Sequence, residues 1–151
     1  MLSIILILAK PSTHNKKAAA VGTGLQTTGL SDVISSSISL FAADMSLFWL
    51  LFLILIVTMA TTDIINNAAT AVIMAPISAG IGLELGYAIE PFLMVVAVGA
   101  SCAFLTPIGH QCNTVVMGPG NYKFTDYWRL GLPLDILIIA VSIPMILFVW
   151  T

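Results

Sequence analysis

Two long apolar runs constrain what this chain can fold into. Residues 91–119 contain no Asp, Glu, Lys or Arg, and residues 130–150 contain only Asp135. A run of about 18 or more apolar residues is long enough to cross a membrane as a helix. Only 8% of the 151 residues are charged and 59% are hydrophobic, whereas about a quarter of a soluble domain is charged. The sequence therefore predicts an all-α integral membrane protein that crosses the plasma (inner) membrane several times.

The first 17 residues do not fit this pattern. Their apolar stretch, residues 2–9, is followed by Pro11 and by three lysines. Eight helical residues cover about 12 Å, which is too short to cross a bilayer, and a signal peptide carries its positive charges before the apolar run. We interpret residues 1–17 as a non-conforming lead-in and residues 18–151 as one membrane domain.

A polar stretch, "ATTDIINNAATA" at residues 60–71, separates the apolar runs 45–59 and 72–83. The two runs are either two complete crossings with a cytoplasmic turn, or a re-entrant hairpin whose tip, residues 62–70, stops inside the bilayer. The tip has no Lys or Arg, which cytoplasmic turns usually carry. A second arm over residues 69–82 would be about 21 Å long against a hydrocarbon core of about 30 Å. Both observations favour the hairpin.

A second polar interruption, residues 106–114, lies inside the other apolar run. Pro107 removes a helix hydrogen bond and Gly109 relaxes the backbone beside it. A broken helix presents carbonyl groups that suit a cation and N–H groups that suit an anion. The alternative is a proline kink repaired by neighbouring hydroxyl groups. Two such interruptions, each with Asn and Thr, favour a transport site where the tip meets the broken helix.

The basic residues predict the orientation. All five lie either before the first predicted helix or within residues 118–129. Because basic loops stay in the cytoplasm, we expect residues 118–129 to be cytoplasmic, and residues 83–90 and the C-terminus to be external.

Three stretches carry a resemblance to a known family: "GLQTTGLSDVI", "TDIINNAATAVIMAPI" and "GASCAFLTPIGHQCNTVVMGPGNYKFTDYWRLGLPL". The chain resembles the C-terminal repeat of the divalent anion/sodium symporter family, which is citrate-transporter-like and belongs to the ion transporter superfamily, in its bacterial permease branch. The resemblance implies an inverted repeat with a re-entrant helical hairpin and a broken transmembrane helix. The family's Ser-Asn-Thr motif at the tip reads Asn66-Asn67-Ala68 here.

The resemblance also implies the binding residues. Substrate would contact side chains at the tip and beyond the break, namely Asn66, Asn67, Asn113 and Thr114. Sodium, the coupling ion, would contact oxygen atoms of Thr62, Ile65, Asn67, Gly109 and Gln111. No cofactor and no further metal are expected.

The expected function is part of a sodium-coupled secondary transporter for a small divalent anion, either dicarboxylate or sulfate, and not an enzyme. The expected partners are the lipid bilayer, the anion, the first repeat of the same transporter and a second copy in a homodimer, with no nucleic acid. Two alternatives remain open. The chain could be a truncated remnant that does not transport, or a different exchanger of the superfamily, which would need more intramembrane acid than Asp63 supplies.

Three polar residues have two interpretations each. Asp63 is either a functional intramembrane acid or the N-cap of the second hairpin arm. His110 either binds the anion or bonds a carbonyl freed beside Pro107. Asp135 lies near a predicted helix end, where solvated and capping roles are the more common ones.

Overall fold

The computed structural model describes residues 45–150 and, before them, residues 24, 27–29 and 33–38. The predicted lead-in, residues 1–17, lies outside the described residues. Throughout the part of the chain that is described, all regular structure is helical and no strand occurs, which confirms the all-α class. Five helices follow one another in residues 45–150: α1 Leu47–Thr62, α2 Asn67–Glu84, α3 Glu90–Ala100, α4 Gln111–Met117 and α5 Phe124–Trp150.

A four-residue connection, residues 63–66, separates α1 from α2. Asp63 keeps helical dihedral angles, whereas Asn66 is extended (φ −67°, ψ 155°), which is the conformation of an N-cap residue. The side chain of Asn66 accepts a hydrogen bond of 2.8 Å from the backbone N–H of Ala69. Asn66 therefore caps α2, and the interpretation of Asp63 as its N-cap is wrong.

Helix α3 packs against both α1 and α2. Glycines make these contacts close: a Cβ atom at Gly82 would lie 2.9 Å from the Phe92 ring, and one at Gly99 would lie 2.9 Å from Thr58. Small residues allow membrane helices to approach closely in this way. The core between the helices is apolar and includes the fully buried side chains Leu51, Leu55, Phe92 and Val95.

Helix α3 ends at Ala100, before the predicted interruption at residues 106–114 begins. Residues 101–110 are not helical, and α4 begins at Gln111. Two tertiary hydrogen bonds accompany this end, and in the first of them Thr62 of α1 donates to the Ala100 carbonyl oxygen. The backbone N–H of Leu105 is likewise bonded to Asp63 instead of to its own helix.

Helix α5 begins at Phe124, so the connection before it is shorter than the predicted loop at 118–129. The carboxylate of Asp126 accepts a 2.8 Å hydrogen bond from the N–H of Lys123, which caps the helix start. In the described part of the chain, α5 is the one helix long and apolar enough to cross a membrane. This start also places Asp135 in the helix interior, where it is buried, so the expectation of a solvated or capping residue is wrong.

Candidate functional site

Asp63 joins the connection after α1 to the non-helical segment 101–110. Its carboxylate oxygen Oδ1 accepts a 3.1 Å hydrogen bond from the N–H of Leu105. Its backbone carbonyl accepts a 2.6 Å hydrogen bond from the hydroxyl group of Thr106. Two polar stretches about 40 residues apart in sequence are therefore in direct contact.

Three oxygen atoms converge where α1, α2 and α3 meet. The fully buried hydroxyl group of Thr62 lies 2.9 Å from the side-chain oxygen of Asn67 and 3.0 Å from the carbonyl oxygen of Ala100. A hydroxyl group has one hydrogen to donate, so it cannot satisfy both acceptors fully at once. At any moment, therefore, one of the two acceptor oxygens in this buried cluster lacks the hydrogen of Thr62.

Gly109 lies against the backbone of Thr62 and Asp63, next to this cluster in sequence. A Cβ atom at Gly109 would be 2.8 Å from the carbonyl oxygen of Thr62 and 2.9 Å from Ala103. The N–H of Gly109 donates to the hydroxyl oxygen of Thr106, which itself donates to Asp63. Only a residue without a side chain fits here, so Gly109 sets how closely the two segments approach.

Asn113 and Thr114 hold the non-helical segment together. The amide group of Asn113 donates to the carbonyl oxygens of Ala103 at 2.8 Å and Thr106 at 3.1 Å. The hydroxyl group of Thr114 donates to the carbonyl oxygen of Pro107 at 2.6 Å. Both N–H groups of the Asn113 amide are thus engaged, and contact with an anion would require them to exchange partners.

His110 caps α4. Its ring nitrogen Nδ1 accepts a 3.2 Å hydrogen bond from the N–H of Cys112. The interpretation that His110 bonds a carbonyl freed beside Pro107 is wrong, because Thr114 makes that bond. The hydroxyl group of Tyr127, on α5, donates to the Asn113 carbonyl oxygen at 2.7 Å and links α5 to this short helix.

The residues predicted to bind substrate or sodium do not all lie together. Thr62 and Asn67 belong to the oxygen cluster, Gly109 lies against the backbone carbonyl of Thr62, and Asn66 is the N-cap residue directly before Asn67. Ile65 has an apolar side chain that is 39% exposed, and only its backbone could contribute. Gln111 and Thr114 are exposed on α4.

Sequence reasoning missed two groups at this site. The carbonyl of Ala100 is a backbone group at a helix end, and its residue type gives no signal. Thr106 connects Asp63 to Gly109, and its position next to Pro107 in a polar interruption could have drawn attention to it.

A second feature, a cavity of about 230 Å³, lies beside the start of α5. Its lining is mostly apolar, and the charged side chain in it is Asp126. A carboxylate repels anions, so this cavity does not suit a divalent anion.

Comparison with known proteins identifies relatives of the chain. A family model described as the sodium:sulfate symporter transmembrane region matches residues 17–151. The uncharacterized transporter YfbS of Escherichia coli is 50% identical over 82 residues, which are 54% of this chain and 13% of the relative. The sodium/sulfate cotransporter 2 of Chlamydomonas reinhardtii is 30% identical over 83% of this chain and 14% of the relative.

A third relative carries a different substrate in its name. The sodium-dependent high-affinity dicarboxylate transporter 3 of Caenorhabditis elegans is 30% identical over 81% of this chain and 22% of the relative. The chain thus spans between 13% and 22% of the length of these three relatives.

Proposed function

The chain belongs to the sodium:sulfate symporter transmembrane family, and from this membership we propose that it forms part of a sodium-coupled secondary transporter for a small divalent anion. Sulfate and dicarboxylate are both candidates, since relatives named for each are equally similar to this chain. The proposed substrate position lies between the tip at residues 62–70 and the interruption at residues 106–114.

The oxygen cluster of Thr62, Asn67 and Ala100 carries the proposal. Sodium is a hard cation, and hard cations take oxygen ligands from hydroxyl, amide and carbonyl groups. The hydroxyl oxygen of Thr62 lies 2.9 Å from the side-chain oxygen of Asn67 and 3.0 Å from the carbonyl oxygen of Ala100. Gly109 lies against the backbone carbonyl of Thr62, and Ile65, Gly109 and Gln111 would add further oxygen atoms.

The anion would lie next to sodium, at the start of α2. The N-terminus of a helix presents unpaired N–H groups and a positive dipole end, which favour a bound anion. Asn66 and Asn67 stand at this N-terminus. Asn67 could then contact both ligands, because its amide group has an oxygen for the cation and an NH₂ group for the anion. Asn113 and Thr114 would complete the anion side.

The helix lengths support a re-entrant hairpin and a broken transmembrane helix. With 16 residues, α1 is about 24 Å long, short of a core of about 30 Å. The second arm, α2, has 18 residues and is about 27 Å long, longer than the arm of about 21 Å predicted over residues 69–82. Helices α3 and α4 have 11 and 7 residues, and neither crosses alone. Polar backbone at membrane depth must face protein or a water-filled cavity, and here the two interruptions pair with each other.

The proposed orientation follows the basic residues. With Lys123 and Arg129 on the cytoplasmic side, residues 118–129 would be cytoplasmic, and α5 would then carry the C-terminus to the outside. Residues 83–90 would also be external. The chain would act as the C-terminal inverted repeat, together with the first repeat of the same transporter, within the lipid bilayer and in a homodimer. No step of this transport is enzymatic.

The test uses a complete transporter that carries this segment. Asn67→Ala should raise the sodium concentration for half-maximal uptake and weaken anion binding, both by about tenfold or more, which is about 1.4 kcal/mol or more. Asn67→Asp should retain sodium dependence but lose anion uptake through charge repulsion. Asn121→Gly removes an amide from a loop residue with φ 52°, which Gly adopts freely, and serves as the control. Normal uptake by Asn67→Ala at low sodium would refute the proposal.

A further inference from the structure

Two acidic side chains are buried with an oxygen atom that has no partner. Asp63 is 5% exposed and Asp135 is 6% exposed. In the described residues, neither Oδ2 of Asp63 nor Oδ1 of Asp135 has a hydrogen-bond partner. Oδ1 of Asp63 is satisfied by Leu105, so the unpaired oxygen of that residue is the second one of the same carboxyl group.

Both carboxyl groups flank the same piece of backbone. A Cβ atom at Gly131 would lie 2.5 Å from the carbonyl oxygen of Phe104, so α5 touches the chain immediately before Leu105. Asp135 follows Gly131 by one helical turn on the same face, and helical side chains tilt towards the N-terminus. The Asp135 carboxyl group therefore leans towards the contact of Gly131 with Phe104, while Asp63 approaches the next residue.

Because both acids lie beside the backbone of residues 104–105, two ionised carboxylates there would repel each other. In the described part of the chain, the basic residues Lys123 and Arg129 are both exposed. Neither side chain therefore lies with the two buried carboxyl groups. A buried carboxylate without a partner costs several kcal/mol, and an acid inside a membrane protein usually faces a partner or an ion. Two such oxygens on different segments form a site for positive charge.

We propose that Asp63 and Asp135 hold a monovalent hard cation, with sodium as the expected ion, between the tip and α5. This site differs from the oxygen cluster of Thr62. The Thr62 hydroxyl group contacts Asn67 of α2 and Ala100 of α3. The Asp63 carboxyl group instead bonds to Leu105, which follows the residue that Gly131 of α5 contacts. A cation here would neutralise the repulsion and tie α5 to the tip, and it would do so without a bound anion.

The experiment measures the melting temperature of the 151-residue chain in detergent as sodium chloride replaces choline chloride at constant ionic strength. The unmodified chain should gain about 5 °C at a hundredfold excess over the dissociation constant. Asp135→Asn should melt higher than the unmodified chain in choline, because one of two repelling charges is gone, and should lose at least half of the gain from sodium. Asp63→Asn keeps an acceptor for Leu105 and should behave in the same way.

Two further variants separate this site from others. Glu90→Gln neutralises an exposed acid at the start of α3 and should keep the full response to sodium. Asn67→Ala changes the proposed transport site, but it should keep the part of the sodium-induced rise in melting temperature that Asp135→Asn removes. The two variants therefore show separately whether either proposal fails. The inference would be overturned if sodium raised the melting temperature of Asp135→Asn as much as that of the unmodified chain. It would also be overturned if the unmodified chain melted at the same temperature in choline and in sodium.

Discussion

The hydroxyl group of Thr62 lies 2.9 Å from the side-chain oxygen of Asn67, and it lies 3.0 Å from the carbonyl oxygen of Ala100. One side chain therefore joins the last residue of α1, the first residue of α2 and the last residue of α3. The bonds of Thr62 fix the positions of the same oxygen atoms that we propose as ligands of sodium. Stability and ion binding should consequently change together at this residue.

Thr62→Val tests this link. Valine keeps the shape of threonine but leaves the Asn67 and Ala100 oxygens without their donor, so the free energy of unfolding should fall by about 1–3 kcal/mol. Thr61→Val is the matched control, because the hydroxyl group of Thr61 bonds only within its own helix, to Val57. Unfolding with a denaturing detergent, followed by circular dichroism, compares the variants. Equal loss in both would show that the interhelical bonds contribute little.

Gly109→Ala tests the contact between the tip and the interruption. The added methyl group would meet the Thr62 carbonyl oxygen at 2.8 Å and must push the two segments apart, at a cost of about 1–3 kcal/mol. We expect a lower melting temperature and a weaker response to sodium. Gly118→Ala is the control, since no atom lies within 4 Å of its added Cβ. An unchanged melting temperature in Gly109→Ala would contradict the close packing.

Tyr127→Phe tests the link between α5 and α4. Its hydroxyl group donates to the Asn113 carbonyl oxygen at 2.7 Å, and loss of one such bond should lower the free energy of unfolding by about 0.5–1.5 kcal/mol. The neighbouring Tyr122, which makes a T-shaped ring contact with Tyr127, is exposed and gives the control Tyr122→Phe. Detergent unfolding should show a loss for Tyr127→Phe that exceeds the loss for the control.

The polar interruptions could be predicted from sequence because their signals are local. Acids, amides and Pro107 inside apolar runs mark places where a helix in hydrocarbon is difficult to continue. Residues 63–66 and 101–110 lie outside helices, whereas residues 67–70 of the predicted tip and residues 111–114 of the predicted interruption are helical. The predicted start of α5, at residue 130, is six residues late because residues 118–129 are polar and contain both basic residues of this region. Asp126 follows Lys123 by three residues, but Lys is not one of the residue types that mark a helix start in sequence, so the local signal is weak.

The partners of the polar residues could not be predicted in the same way. Asp63 bonds to Leu105 across 42 residues, and the acceptor or donor is often a backbone atom, as at Ala100. Backbone N–H and carbonyl groups are nearly the same for every residue type, so a pattern of side chains does not predict which of them will bond to a polar residue. Asp135 is buried one turn after Gly131, where α5 meets the non-helical segment at Phe104, and this contact is likewise tertiary.

The two cysteines differ in how easily a reagent can reach them. Cys112 is exposed at the start of α4, whereas Cys102 is buried and its thiol lies 3.1 Å from the Val98 carbonyl oxygen. A water-soluble maleimide should therefore label Cys112 at least tenfold faster than Cys102, because the reagent must reach the sulfur atom. In Cys112→Ser, labelling should stay at background until the chain is unfolded. Mass spectrometry of the labelled peptides measures both rates.

The same reaction reports on the proposed site. Cys112 stands between Gln111 and Asn113, which we place near sodium and the anion. In a complete transporter that carries this segment, sodium together with sulfate or a dicarboxylate should slow labelling of Cys112 several-fold, since bound ligands cover α4. Choline with the same anion is the control and should leave the rate unchanged. Rapid labelling of Cys112 at saturating sodium and anion would instead place the substrate away from the start of α4, and the anion side would then rest on Asn66 and Asn67 alone.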